Sequence, residues 1–100
     1  NKFHEAMIVD LSASGAKIAT RTPVARKGEV LELKMILEVA ESDETLNLIG
    51  IVKNVEYKQG NKEKKRLPLH YYGLMFQGVN RFQKLAIHAY VMEAAMKVEM

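Results

Sequence analysis

The sequence contains no cysteine, which excludes disulfide frameworks and thiolate metal sites and fits a reducing compartment, so a cytoplasmic location is expected. No apolar run approaches the roughly 18 residues that a membrane span requires. The first nine residues place Lys2, His4 and Glu5 among their apolar positions and so lack the core of a signal peptide. The histidines His4, His70 and His88 are far apart, and none shares its element with a second ligand at metal-binding spacing. No metal and no cofactor are expected. Serine is confined to Ser12, Ser14 and Ser42 without a nucleophile elbow, and neither a phosphate loop nor a dinucleotide fingerprint occurs. These absences point to binding, not catalysis. The charge is also unremarkable: 15 Lys and Arg against 12 Asp and Glu give a net +3, a mild bias toward anionic partners.

What is present describes one soluble globular domain over residues 1–100, with 48% hydrophobic and 27% charged content. The chain opens on Asn1 instead of methionine, which is expected of a processed protein or a fragment. Leu31, Leu33, Met35, Leu37 and Val39 alternate with Glu32, Lys34, Ile36 and Glu38, the period of two of a strand with one face in a core. Phe3 to Leu11 and Ala16 to Thr20 read as two shorter strands joined across Ser12 to Gly15. The acids Glu41, Asp43 and Glu44 suggest a turn, Leu46 to Tyr57 an antiparallel partner, and Gly50 a bulge or sharp bend within it. Gln59 to Pro68 is a basic loop and Leu69 to Phe76 a last strand, which Gly78 closes.

Asn80 is a candidate N-cap for a helix over about residues 81–98, where neither proline nor glycine occurs. Its apolar residues form two stripes. Phe82, Leu85, Ala89, Met92 and Met96 make one; Ile87, Val91, Ala94 and Val98 make the other. With one stripe on the sheet, the second is free to contact another subunit or a protein partner, and Ile87, Val91, Ala94 and Val98 are the residues expected there. Burial of the helix on both sides is the competing expectation.

The first hairpin carries Asp10, Ser12 and Gly15 in the order D-x-S-x-x-G. Asp10 and Ser12 are two apart and share a face while the strand lasts. Glycine at 15 permits positive φ and close approach of backbone to a ligand. A carboxylate accepts hydrogen bonds only, so against a nucleotide it suits the N1 and N2 donors of guanine and repels phosphate. The competing account is a turn held by side-chain to backbone bonds.

The stretch IVDLSASGAKIAT resembles the second motif of PilZ domains, the cyclic di-GMP receptors of bacteria. TPVARKGEVLELKM and HYYGLMFQGVNRFQKLAIHAYV look like that family's entry into a long strand and its closing strand and helix. The resemblance implies a mainly β fold, a six-stranded antiparallel barrel with a C-terminal helix, and a non-enzymatic receptor whose contacts change when cyclic di-GMP binds. Asp10, Ser12 and Gly15 would then touch the ligand, and the output would be control of flagellar motility, exopolysaccharide synthesis or transcription. The family's other signature, an R-x-x-x-R pair upstream of the first barrel strand, does not occur in these 100 residues. Either the pair and a first strand precede Asn1, or the domain is a degenerate one that binds protein and not nucleotide.

A nucleic-acid-binding barrel is the less favoured alternative: Lys53, Lys58, Lys62, Lys64, Lys65 and Arg66 form a basic run flanked by Tyr57 and Tyr71.

Overall fold

A computed structural model describes residues 4–96, along which the chain runs β1 (Met7–Leu11), β2 (Gly15–Thr20), β3 (Val30–Val39), β4 (Ser42–Lys58), β5 (Leu69–Gln77) and α1 (Arg81–Met96). The strands form one antiparallel sheet in the order β1-β2-β5-β4-β3, curled into a half-barrel. The described residues thus hold the five strands read from the sequence, and the sixth that the resemblance implies is not among them; Phe3 and Val98, the expected ends of the first strand and the helix, fall outside the described residues.

Alternation decides which face is the core. On β3, Met35 and Leu37 are buried while Glu32, Lys34, Ile36 and Glu38 are exposed; on β5, Tyr72, Leu74 and Phe76 point inward. Leu46, Leu48 and Val52 of β4 and Ala16 and Ile18 of β2 complete the concave side. The fully buried apolar side chains, Leu37, Val52 and Ile87 among them, each contribute about 2 kcal/mol of transfer free energy. The phenol of Tyr72 is spent locally: its oxygen accepts the Val24 N–H at 2.9 Å and anchors the segment leading into β3.

The strand ends depart from expectation for reasons of turn geometry. Ala40 and Glu41, at φ 51° and 64°, make a two-residue turn, with Val39 paired to Ser42. That register draws Ser42 to Thr45 into the ladder against Ile36 to Val39, so Asp43 and Glu44 are strand residues and β4 begins four residues before Leu46. Gly50 is regular, paired to Leu31 on one side and Phe76 on the other; the bulge of β4 lies between Val52 and Asn54. What glycine provides at 50 is space, since a Cβ there would stand 3.3 Å from Leu33 Cδ1 and 3.4 Å from Leu74 Cβ. β4 meets β3 over residues 42–51 and β5 over residues 49–58, sharing only Ile49 to Ile51 between them.

Asn80 caps α1 in a reciprocal box: its Oδ1 accepts the Gln83 N–H at 2.9 Å, and Gln83 Oε1 accepts the Asn80 N–H at 3.0 Å. Gln83 Nε2 also donates to the Asn47 carbonyl of β4, and Glu93 Oε1 accepts the Ala40 N–H at the β3–β4 turn. Between these two ties Ile87 is fully buried, with Ala86 and Tyr90 packed beside it. The expected partner stripe is therefore corrected at Ile87, which belongs to the core. Val91 is 37% exposed, whereas the other stripe stands in solvent: Phe82 is 81%, Leu85 55% and Met92 49% exposed. The side chain of Ala94 and all of Val98 lie outside the described residues. Periodicity yields two stripes, but the hydrogen bonds at the two ends of the helix choose between them.

Candidate functional site

The β1–β2 connection is a tight turn closed by the Ser12 N–H donating to the Gly15 carbonyl at 2.9 Å. The Ser12 hydroxyl braces it from inside, accepting the Ser14 N–H at 3.3 Å and sharing a hydrogen bond with the Ser14 hydroxyl at 3.0 Å. Asp10 Oδ1 accepts the N–H of Leu11 at 2.9 Å. Both side chains therefore hold the local turn, as the competing account requires, and both also remain exposed. β1 ends at Leu11, so Ser12 projects from the turn and not from the strand.

Gly15 works differently from its expected role. Its φ is not positive, as those of Gly28 and Gly78 are. A Cβ at this position would overlap the Leu74 carbonyl oxygen and stand 3.2 Å from the carbonyl carbon. The glycine is required because β2 and β5 approach closely where Gly15 pairs with Met75. Phe76 donates its N–H to the Ser14 carbonyl at 2.9 Å and seals the turn to β5.

Around this turn lies a groove of about 430 Å³, open on the convex face of the sheet, to which Asp10, Ser12 and Gly15 all contribute. Strand register supplies the rest of it. Asp10 pairs with Lys17, Lys17 with Gly73, and Gly73 with Asn54, so four outward positions on four strands form one row. Lys53, at the β4 bulge, and Met75 also line the groove. A side chain at 73 would fill it, since a Cβ there would lie 3.2 Å from Asn54 Nδ2.

A family model of the PilZ domain matches residues 1–93. The chain belongs to the PilZ domain family. No curated protein and no solved structure gives a significant match. Membership points to a cyclic di-GMP-binding or regulatory role.

Lys17, Asn54 and Gly73 carry no spacing signal of a site, and Lys53 stands out only as part of the basic run, because the register alone brings them to Asp10. One signal was readable: Gly73 interrupts a strand otherwise built of large side chains, HYYGLMF, and such a glycine often marks close approach of a ligand or another backbone. Beside the row, the Lys17 ammonium lies 5.3 Å and the Lys58 ammonium 5.0 Å from the centre of the Tyr71 ring. Lys58 is also 3.9 Å from Glu56, an exposed pair worth little by itself.

The PilZ domain treats the remaining basic residues otherwise. Tyr71 pairs across the sheet with Glu56, while Tyr57 pairs with His70 at a ring separation of 4.8 Å. Consecutive positions face opposite sides, so Tyr57 and Tyr71 form no common stacking platform. Lys62 to Arg66 form a separate turn, bridged between Asn61 and Arg66, remote in register from Asp10. A second cleft, of about 720 Å³, separates the unpaired edges of β1 and β3 and is lined by Ile8, Ile18, Val24, Leu31 and Met35; Asp10, Ser12 and Gly15 take no part in it. Among the described residues no group of three His, Asp or Glu side chains is placed to hold a metal, and no helix is long and apolar enough to cross a membrane.

Proposed function

We propose that this PilZ domain is a non-enzymatic cyclic di-GMP receptor of the bacterial cytoplasm, needing no cofactor, in which Asp10, Ser12 and Gly15 bind the ligand. The observation that carries the reading is the convergence of all three on one groove of a PilZ chain. Asp10 accepts the N1 and N2 protons of guanine, the Ser12 hydroxyl serves as donor or acceptor, and Gly15 lets the turn seat against β5 so that both point outward. Ligand binding then alters contacts within the domain or with a partner, and through them motility or exopolysaccharide synthesis.

The arginine pair belongs to this proposal as residues preceding Asn1, together with a sixth strand. Support comes from the edges of β1 and β3, which pair with no further strand among the described residues and flank the apolar cleft, so that a strand laid between them would find backbone donors and acceptors. The pair would read phosphate and the O6/N7 edge of guanine with planar forks.

Isothermal titration of cyclic di-GMP into residues 1–100 and into the chain with its native upstream sequence tests the reading. Saturable heat from the longer protein, reduced by D10A, is the expected result. Absence of heat from the longer protein would overturn it.

A degenerate domain that binds protein and not nucleotide is the second reading, and the exposed Phe82, Leu85 and Met92 face of α1 favours it. In that case the longer protein gives no heat with the dinucleotide, and substituting this face, not Asp10, abolishes partner binding.

A further inference from the structure

The row Asp10–Lys17–Gly73–Asn54 places opposite chemistries at fixed spacing on one side of the sheet. Neighbouring strands are about 4.8 Å apart. An acceptor for a base edge therefore stands one strand from a cation, with an unfilled position on the strand beyond. Cross-strand partners of opposite charge commonly pair, yet among the described residues Asp10 and Lys17 form no ion pair. The Lys17 ammonium lies instead over Tyr71, two residues from Gly73 on β5. Lys58 reaches the same ring from β4. Lys53 is the second cation lining the groove, and Glu56 lies 3.9 Å from Lys58.

We infer that Lys17 is the phosphate-binding residue of this groove: the guanine edge sits on Asp10, and a phosphodiester oxygen lies above Gly73 against the Lys17 ammonium. The inference rests on the receptor reading and deepens it, because it assigns phosphate recognition to a residue of β2 that acts alongside any upstream arginines. Tyr71 is a positioning residue. Its ring face holds the ammonium away from Asp10 by a cation–π contact, so the two halves of the site do not neutralise one another. Gly73 keeps the path between them open, as a larger residue would close the trough against Asn54.

The test titrates cyclic di-GMP into the protein carrying its native upstream sequence, at low and at high salt, as wild type and as D10A, K17M and K17R, with each variant's fold checked by circular dichroism. K17M is expected to bind about tenfold more weakly, as loss of one charge-assisted contact implies, and to lose part of the salt dependence. K17R should restore both, and D10A should weaken binding while keeping the salt dependence. If D10A weakens binding but K17M matches wild type in affinity and salt dependence, the Lys17 assignment is overturned and the reading of Asp10 stands. Should K17M lose its fold, K17R together with Lys17→Gln decides the same question on charge alone. No binding by the wild type overturns the receptor reading and this inference together.

Discussion

Replacing Gly15 by alanine should destabilise the domain far more than an ordinary strand glycine would. The added Cβ meets only backbone: it overlaps the Leu74 carbonyl oxygen, stands 3.2 Å from the carbonyl carbon and 3.5 Å from Met75 Cα. No side chain can rotate away, so β2 has to lift from β5. Overpacking of this kind costs about 1–3 kcal/mol, and loss of the neighbouring Phe76 N–H to Ser14 hydrogen bond adds about 1 kcal/mol. A total of about 3 kcal/mol is a large part of the roughly 5–15 kcal/mol available to a small domain and lowers its melting temperature by roughly 12–24 °C. Urea unfolding followed by circular dichroism measures it, with Gly28→Ala as the control. Gly28 has φ 92° and nothing within 4 Å of its Cβ position, so alanine there introduces backbone strain alone, about 1 kcal/mol. A loss at position 15 no larger than at position 28 would refute the claim that close strand approach demands the glycine.

Ile87→Ala should cost about 2–4 kcal/mol by emptying a fully buried site, while Phe82→Ser stays within about 0.5 kcal/mol of wild type; the reverse order in thermal melts would mean that the helix docks by its other stripe. Tyr72→Phe leaves the Val24 N–H without its acceptor and should lower stability by about 1–2 kcal/mol, with faster hydrogen exchange at that amide; unchanged protection at Val24 would count against the bond.

Much of the architecture was legible because it depends on local pattern. The alternation from Leu31 to Val39 marked β3, and Asn80 marked the helix start. What escaped was whatever depends on register. An Ala40–Glu41 turn lacks the Asn-Gly signature of its type, so the acidic stretch after it was assigned to a turn when hairpin pairing makes it strand. The sequence suggests positive φ and close approach to a ligand for Gly15 and a bulge for Gly50, whereas what crowds both positions is a neighbouring strand, which comes into view only once the strands are in place. The site shows the same division. Asp10, Ser12 and Gly15 lie within six residues and announce themselves, while Lys17, Asn54 and Gly73 come from three strands and meet Asp10 only through pairing.

The three-residue overlap on β4 gives the molecule a waist. On one side of Ile49–Ile51 lies a plate made of β1, β2, β5 and the second half of β4, which carries the groove; on the other lies a plate made of β3 and the first half of β4, to which α1 is tied at both ends. Only these three residues of β4 are paired to both neighbours, and the plates are further joined where Val52 exchanges backbone hydrogen bonds with Gly28 and Glu29 at the entry to β3. The groove and α1 therefore stand on opposite sides of the one stretch of β4 that is paired to both neighbours, so the angle between them is set by Ile49–Ile51 and by the core that both plates share.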